Sequence, residues 1–234
     1  MGIKVSIITA IYNSHEIVRR QQRYYNRLAY LMPEFEVIHI DDGSKPQIEY
    51  NDEYSPVNYQ IIRTHNYKSW TEHIARNLGA RIASGNYLLF IDIDYILTPG
   101  ALSVSKRFNG DRMAFHRRFG VLDENGYLRN ETTILKQYGL RNRWIRRGWV
   151  NGHRSQFLMR KDLFWRLGGY NEALDGTWRV TGGAGERFWR KWQRAEARGK
   201  VKTSPDTPTI YMFPVGKYCE PDFDESALFH DLHR

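Results

Sequence analysis

Cysteine and long apolar runs are nearly absent from this sequence. Cys219 is the only cysteine among 234 residues, which excludes an intramolecular disulfide framework and favours a reducing compartment, so we expect a cytoplasmic protein. No apolar run reaches the roughly 20 residues of a membrane-spanning helix. Residues 3–12 lack the basic leader and the small-residue cleavage site of a signal peptide. Collagen, coiled-coil, disordered and integral membrane proteins are therefore excluded, and no membrane span is expected.

Aromatic residues and positive charge are abundant instead. The chain is 41% apolar and 14% aromatic with a net charge of +9, and its length fits one large domain. Between residues 141 and 202, 16 Lys and Arg stand against 5 Asp and Glu, and six of the seven tryptophans lie in the same window. Cations interleaved with aromatic rings suit a polyanion that offers rings for stacking. The alternative is a solvated basic face above tryptophans that belong to the core.

The first hundred residues alternate between strand and helix patterns. Strands are predicted over residues 4–12, 36–40, 59–63 and 87–91, and helices over residues 15–31, 70–84 and from Pro99 onward. This alternation predicts an α/β fold with a mostly parallel, doubly wound sheet and helices on both faces. Ligands bind beyond the carboxyl ends of the strands in such sheets. From about residue 109 the pattern is irregular and punctuated by glycine.

Two carboxylates end the strand predicted at residues 87–91. Asp92 and Asp94 flank Ile93, and in an extended chain residues i and i+2 face the same side, so both carboxylates could address one site. Paired carboxylates at a strand end suit a hard divalent cation that keeps water ligands and accepts phosphate oxygens. The alternative is a turn in which aspartate only caps the next helix.

A second acidic corner follows the strand predicted at residues 36–40. Asp41 and Asp42 precede Gly43 and Ser44. The carboxylates could accept hydrogen bonds from a base N–H and from ribose hydroxyls, while glycine permits a tight turn. The alternative is an ordinary Asx turn, because Asp-Gly is a common turn pair. Both acidic corners are expected on one rim of the sheet.

These motifs, in this order, resemble the GT-A nucleotide-sugar glycosyltransferases, most closely those of the glycosyltransferase family 2 type. The similarity is carried by SIITAIYN at 6–13, DDGS at 41–44, ARNLGARIASGNYLLFIDIDYILTPGAL at 75–102, GGYNEAL at 168–174 and GGAGERFW at 182–189. The resemblance implies a single Rossmann-like GT-A domain over residues 1–234. Within it we expect a nucleotide-sugar-binding half at 1–108, an irregular acceptor half at 109–218 and a surface tail at 219–234.

The resemblance also implies roles for the two acidic corners. A nucleoside-diphosphate sugar would be the donor, with Asp41 and Asp42 near its nucleoside, and Asp92 and Asp94 would hold Mn²⁺ or Mg²⁺ against its diphosphate. Such a metal neutralises the charge that develops on the leaving diphosphate. Arg76, on the helix that returns toward this rim, is a further donor-binding candidate through a phosphate or through Asp41. The alternative for Arg76 is a plain surface cation.

The general base is where the sequence departs from the family. Family members follow the glycines with Gly-Glu-Asp, and the second acid often serves as base, whereas this chain has Gly185-Glu186-Arg187. Glu186 is therefore the candidate base or acceptor contact for an inverting transfer. A retaining mechanism and an acceptor that needs no protein base stay open. A third option is that Glu186 only complements a helix N-terminus.

The expected acceptor half contains the basic, tryptophan-rich window. From it we select Arg146, Arg147, Trp149 and Trp178 as acceptor-binding candidates. A modified DNA base that offers a hydroxyl would meet the demands of charge and stacking together and is the leading acceptor. A surface glycan, a lipid-linked sugar and a protein side chain are the alternatives. Two functions of other kinds compete with sugar transfer: a catalytically silent nucleic-acid-binding module and a sugar nucleotidyltransferase.

Overall fold

The computed structural model describes residues 2–49, 58–64, 71–175 and 183–223. The strands of this part are β1 (Val5–Ile11), β2 (Phe35–Asp41), β3 (Tyr59–Arg63), β4 (Tyr87–Phe90), β5 (Tyr95–Leu97), β6 (Arg112–Ala114), β7 (His116–Phe119), β8 (Val121–Leu122), β9 (Leu128–Arg129), β10 (Phe157–Arg160) and β11 (Thr209–Met212). The helices are α1 (His15–Leu31), α2 (Glu72–Ile82), α3 (Pro99–Arg107), α4 (Thr132–Gln137), α5 (Asn142–Arg147), α6 (Lys161–Arg166) and α7 (Gly183–Ala197). Short 3₁₀ turns occupy Glu172–Leu174 and Gly216–Tyr218.

Six of the described strands form the central sheet, in the order β3-β2-β1-β4-β10-β6. β1 pairs in parallel with β2 and β4, and β2 pairs in parallel with β3. β10 runs antiparallel to both β4 and β6. The mostly parallel sheet predicted from the sequence is confirmed. β6 and β10 lie beyond residue 109, so the stretch whose pattern is irregular in sequence contributes two strands to the sheet.

Helices cover both faces of this sheet, because successive residues of each strand point to opposite sides. On one face, Ile7 of β1 belongs to the same apolar cluster as Tyr25 and Leu28 of α1. On the other face, Ile8 belongs to a cluster with residues of α2, α6 and α7. Gly79 of α2 lies so near β1 that a Cβ atom there would be 2.5 Å from Cγ2 of Ile8. Burial on both faces explains why β4 is a continuous apolar run.

A second, smaller sheet adjoins the first. It consists of β5, β11 and β7, with β11 antiparallel to β5 and parallel to β7, and β8 pairs with β9 in a separate hairpin. β5 begins a few residues after β4 ends, so the chain passes directly from the central sheet into the small one. Asp92 and Asp94 occupy that passage. The fold therefore places them beyond the carboxyl end of β4.

Element boundaries follow the sequence patterns closely. α1 has the predicted bounds, and β3 coincides with the strand predicted at residues 59–63. α3 begins at Pro99, preceded by the N-cap Thr98, whose hydroxyl accepts the Ala101 N–H at 3.0 Å. None of the described helices has the length and apolar character that crossing a membrane requires.

The C-terminal part of the described chain is partly buried in the fold. Cys219 is buried and forms an isolated β-bridge with Leu140, so the expected surface tail starts inside the fold. Residues 224–234 lie outside the described residues.

His39 of β2 is a buried titratable group in the middle of the sheet. Its side chain is fully buried, and Nδ1 lies 2.7 Å from the hydroxyl of Tyr59. Burial lowers the pKa of His39 from 6.5 to about 3. The folded protein therefore keeps this imidazole neutral, while the unfolded chain takes up a proton below pH 6.5.

We predict that His39 weakens the fold in acid. Because the folded pKa is lower than the unfolded one, stability is complete above about pH 6.5 and falls as the pH drops, by on the order of 3 kcal/mol at about pH 4. The variant His39→Leu loses the Tyr59 hydrogen bond at neutral pH but has no such proton uptake. Urea unfolding of both proteins from about pH 7 to pH 4 should give converging free energies of unfolding. If the free energies of unfolding of the two proteins change in parallel with pH, protonation of His39 does not weaken the fold.

Candidate active site

The acidic pair lies in a turn between the two sheets. The Tyr95 N–H donates to the Asp92 carbonyl at 3.1 Å, and residues 93–94 form the turn. The expectation that Asp92 and Asp94 share a side because the chain is extended is therefore wrong. The two carboxylates still interact, since burial, and then the charge of Asp92, raise the pKa of Asp94 to about 8. Proximity comes from the turn and not from strand periodicity.

Asp92 is held by a buried arginine. Arg76, on α2, is 1% exposed, and its guanidinium contacts the Asp92 carboxylate. The same group lies 2.9 Å from Oε1 of Glu72 and donates to the Ser155 carbonyl at 3.2 Å. Burial opposes the charge of Arg76, yet the carboxylates of Glu72 and Asp92 raise its pKa. Arg76 is thus no surface cation, and its acidic partners among the described residues are Asp92 and Glu72, whereas the sequence suggested Asp41.

The segment before β10 completes the surroundings of Asp92. Gln156 donates from Nε2 to the second carboxylate oxygen of Asp92. Arg117 of β7 fixes the start of this segment, because its Nε donates to the Asn151 carbonyl at 2.5 Å and its carbonyl accepts the Val150 N–H at 2.8 Å. Sequence reasoning missed Gln156 and Arg117. No local motif marks them, and only the folded chain brings residues 150–156 to the acidic turn.

The first aspartate of the second acidic corner shapes its own loop. Asp41 is fully buried and accepts backbone N–H groups from Ser44 at 2.8 Å and Ile48 at 3.2 Å. Gly43 has φ +98° and provides the left-handed residue of the turn. The Asx-turn interpretation therefore describes Asp41 correctly, and both of its oxygens are engaged within the protein.

The second aspartate of this corner faces the start of α2. Asp42 accepts hydrogen bonds from the hydroxyls of Thr71, at 2.5 and 2.6 Å, and Thr64, at 3.1 Å. Its burial raises its pKa although both hydroxyls lower it. Thr71 is the N-cap residue of α2, and Arg76 lies on the same helix. One helix therefore connects the two acidic corners.

The carboxyl end of β1 lies beside this corner. The Asn13 N–H donates to the Ser44 hydroxyl at 2.8 Å, and the Asn13 side-chain oxygen accepts the Lys45 N–H at 2.9 Å. Tyr12, the preceding residue, is 46% exposed. An exposed ring at the carboxyl end of the first strand offers a stacking surface. Sequence reasoning missed Tyr12, although its place after an apolar strand was a usable signal.

The acidic corners do not merge into one set of metal ligands. Across residues 2–49, 58–64, 71–175 and 183–223, no three His, Cys, Asp or Glu side chains are grouped closely enough to hold a metal ion. Among the described residues, Asp41 and Asp42 thus do not join Asp92 and Asp94 in one set of metal ligands.

Glu186 lies in the first turn of α7 and is held by two cations. Its carboxylate contacts Arg154 and lies 3.1 Å from Nε of Arg190, and its side chain is 22% exposed. Arg154 belongs to the segment that also carries Ser155 and Gln156, so Glu186 is connected to the surroundings of Asp92. These contacts are ion pairs and not hydrogen bonds to helix N–H groups, and the role of Glu186 stays a prediction.

The basic window contains both exposed and buried aromatic rings. Arg146 and Arg147 end α5 and are exposed, and the Arg147 guanidinium stacks 4.4 Å from the ring centre of Trp149, which is 48% exposed. Trp192, by contrast, is fully buried in the core. The window therefore contains a core tryptophan, as the second interpretation expects, together with an exposed one, and binding of a polyanion there stays a prediction. Trp178 lies outside the described residues.

Residues 6–168 match the family model for glycosyl transferase family 2. The chain belongs to this family. It is 28% identical, over 145 residues, to an uncharacterized glycosyltransferase of Haemophilus influenzae, an alignment that covers 60% of this chain and 48% of the relative. The chain thus spans about half the length of the curated relative that it matches.

Solved structures of glycosyltransferases share the fold. S. aureus TarS superposes with a TM-score of 0.58 at 18% identity, over 90% of this chain and 37% of TarS. The mannosyltransferase PcManGT of Pyrobaculum calidifontis, solved with GDP-Man and Mn²⁺, gives a TM-score of 0.57 at 15% identity, over 92% of this chain and 58% of PcManGT. The GT-A fold expected from the motifs is confirmed for this family 2 member.

The acidic turn of this family 2 chain fits a hard divalent cation. Asp94 makes no salt bridge with any described residue, and burial, followed by the charge of Asp92, raises its pKa to about 8 although Arg117 lowers it. Carboxylate oxygens are the ligands preferred by Mn²⁺ and Mg²⁺, which retain water or phosphate oxygens in their other positions. The donor set at the turn therefore suits such an ion.

We predict that Arg76 is needed for stability because it compensates Asp92. The variant Arg76→Met should lose about 1.5 to 3 kcal/mol in the free energy of unfolding, since it removes the charged hydrogen bonds that this buried guanidinium makes with Asp92, which is partly exposed, and with the Ser155 carbonyl. Adding Asp92→Asn should recover part of that loss. The matched control is Arg81→Met on the same helix, an arginine that is 53% exposed and paired with Glu172, and should cost less than about 1 kcal/mol. Urea denaturation gives the free energy of unfolding of the wild type and of the three variants. Equal losses for Arg76→Met and Arg81→Met would show that Arg76 has no special role in stability.

Proposed function

We propose that the protein transfers a sugar from a nucleoside-diphosphate sugar to a hydroxyl acceptor in a metal-dependent reaction. The observation that carries this proposal is the Asp92–Asp94 turn, beyond the carboxyl end of β4, in a chain of glycosyl transferase family 2. Ligands of doubly wound sheets bind at this edge. GDP-Man and Mn²⁺ in PcManGT, and UDP in a second TarS structure, support a nucleotide-sugar donor here.

The donor would lie along the rim formed by the ends of β1, β2 and β4, within the proposed donor half at residues 1–108. The exposed ring of Tyr12 would stack on the nucleoside base. Asp42, half-buried beside Thr71, would accept a hydrogen bond from the nucleoside. Asp41 would act indirectly by fixing the loop that carries Asp42.

Asp92 and Asp94 would hold the cation against the diphosphate. When bound, Mn²⁺ or Mg²⁺ would act as a Lewis acid that stabilises the leaving diphosphate. Arg76 and Gln156 orient Asp92 through its two oxygens. Arg76 would also lend positive charge to this end of the donor site, which supports its assignment as a donor-binding residue.

Glu186 is the proposed base for an inverting transfer. Arg154 and Arg190 each engage one oxygen of its carboxylate. Each oxygen has a second acceptor site, which would receive the acceptor proton. The aspartate that family members place next is Arg187 here, which favours, as a second candidate, a catalytically silent nucleic-acid-binding module.

The proposed acceptor half, residues 109–218, carries the contacts for an anionic acceptor. Arg146, Arg147 and the half-exposed Trp149 combine charge with an aromatic face, which supports a modified DNA base as the leading acceptor. Trp178 stays a prediction, as does the cytoplasmic location. A surface glycan, a lipid-linked sugar and a protein side chain are the competing acceptors.

The metal-dependent donor reaction is tested by removing Asp94. Purified protein and the variant Asp94→Ala are incubated with UDP- and GDP-sugars over a range of Mn²⁺ concentrations, and release of the nucleoside diphosphate is followed. We expect turnover in the wild type and a loss on the order of 100-fold or more in the variant. The control Asp206→Ala removes an exposed acid elsewhere and should have no effect. Absence of wild-type turnover, or its persistence in Asp94→Ala, would contradict the proposal.

Acceptor binding is tested by charge reversal at the end of α5. The double variant Arg146→Glu/Arg147→Glu should lower glycosylation of hydroxymethylated DNA by about 10-fold or more, because it repels phosphate, while donor hydrolysis is unchanged. Mass spectrometry of the DNA measures the first activity, and diphosphate release measures the second. Equal loss of both activities would mean that these arginines serve the fold.

A further inference from the structure

One side of α7 presents a row of cations to solvent. Its members are exposed and recur every three or four residues, which places them within an arc of about 100° around the helix. They are Arg187, Arg190, Lys191, Arg194 and, just past the last turn, Arg198. The row extends about 16 Å along the helix axis.

The acids of α7 do not neutralise this row. Glu186 is turned toward Arg154 as well as Arg190. Glu196 accepts the Thr203 N–H at 3.1 Å and so faces the chain that follows the helix. The other four members of the row make no salt bridge with a described residue.

Folding alone gives no reason for such a row. Like charges four residues apart on a helix destabilise it, and the row contains three such pairs. The opposite side of α7 already supplies the core contacts, since Phe188 and Trp192 are 4% and 0% exposed. A cation row that costs helix stability and contributes nothing to the core is typical of a surface that meets a polyanion.

The same packing argues against a membrane as the partner. A helix that binds a bilayer surface places an apolar face among the lipids. Phe188 and Trp192 of α7 are buried, and Trp189 is partly buried against the same apolar cluster. The exposed positions of the helix are cations together with Gln193 and Ala197. The helix can therefore attract phosphate by charge but has no apolar face to insert.

The row continues into the surroundings of the acidic turn. Arg154 contacts Glu186 at the first turn of α7 and belongs to the segment that carries Gln156, the partner of Asp92. At the other end of that segment, Trp149 offers a half-exposed ring stacked with Arg147. Phosphate-binding cations and a surface for a base thus occur on connected elements.

We propose that the exposed face of α7 binds the sugar-phosphate backbone of a nucleic acid. A strand held there would follow the cation row with several phosphates and lead toward the acidic turn. The proposal rests on the proposed function only in that the bound strand would carry the acceptor. Backbone binding itself needs no donor and is measured separately.

The test compares two triple variants with the same loss of charge. The first, Arg187→Gln/Arg194→Gln/Arg198→Gln, removes three members of the row and leaves Arg190, the partner of Glu186. The control, Arg19→Gln/Arg107→Gln/Arg118→Gln, removes three exposed arginines on α1, α3 and β7. Fluorescence anisotropy with short labelled single-stranded and duplex DNA gives Kd from about 50 to 200 mM salt.

We expect the α7 variant to weaken DNA binding by about 10-fold or more and to reduce the slope of log K against log salt by about 2 to 3, as expected for three lost phosphate contacts. The control variant should change neither the Kd for DNA nor the salt slope by a comparable amount. Equal changes in both variants, or no DNA binding by the wild type at the lowest salt, would overturn the proposal. So would binding to phosphatidylserine vesicles that needs the row while DNA binding does not.

Donor hydrolysis separates this inference from the proposed function. The α7 variant should release nucleoside diphosphate at the wild-type rate, because none of the substituted residues contacts the acidic turn. If the wild type hydrolyses no donor yet binds DNA through α7, the sugar-transfer proposal fails and the present one stands. If the wild type hydrolyses the donor but the α7 variant binds DNA as tightly as the wild type, the nucleic-acid proposal fails and the sugar-transfer proposal stands.

Discussion

The buried guanidinium of Arg76 is the interaction on which the candidate site depends. It joins α2 to the acidic turn through Asp92 and to the segment before β10 through the Ser155 carbonyl. The same helix begins at Thr71, whose hydroxyl binds Asp42. Burying a charge is costly even when it is paired, and replacing both partners of a buried pair with apolar residues often leaves a protein as stable. The arrangement is therefore best understood as fixing geometry: one rigid helix sets the relative position of both acidic corners.

The two carboxylates of the turn differ in how far neighbouring groups compensate their charge. Asp92 is compensated by Arg76 and hydrogen-bonded by Gln156. Asp94 is partly exposed, and desolvation followed by the charge of Asp92 raises its pKa to about 8. In the proposed metal site, Asp92 would be the ligand held in position by Arg76 and Gln156, and Asp94 would be the ligand without an ion-pair partner among the described residues.

Much of the fold could be predicted from the sequence, because its strands and helices follow local residue patterns. β4 could be read from an unbroken apolar run, α1 from helical spacing ahead of a proline, and the order of motifs led to the family. The predicted acidic residues also lie at strand ends, as parallel sheets require. These features depend on neighbours in sequence, and short-range patterns record them.

The contacts of the site were predicted less well because they depend on distant residues. Asp92 and Asp94 are adjacent through a turn, which periodicity did not indicate. The sequence leaves a phosphate, Asp41 or solvent as the partner of Arg76, whereas its partners in the fold are Asp92, Glu72 and a carbonyl 79 positions away in the chain. Burial decides such pairings, and burial of an arginine is a tertiary property that no spacing rule encodes.

The basic window shows why composition cannot separate a surface from a core. The same stretch contains Trp192, fully buried beneath α7, and Trp149, half-exposed beside Arg147. On α7 the two populations alternate with helical period, so aromatic rings face inward and cations face outward. Charge that is required only to keep a helix soluble is ordinarily mixed in sign, because opposite charges one turn apart stabilise the helix. The exposed face of α7 carries cations of one sign, and its aromatic side already packs in the core. Binding therefore explains these cations, whereas folding does not.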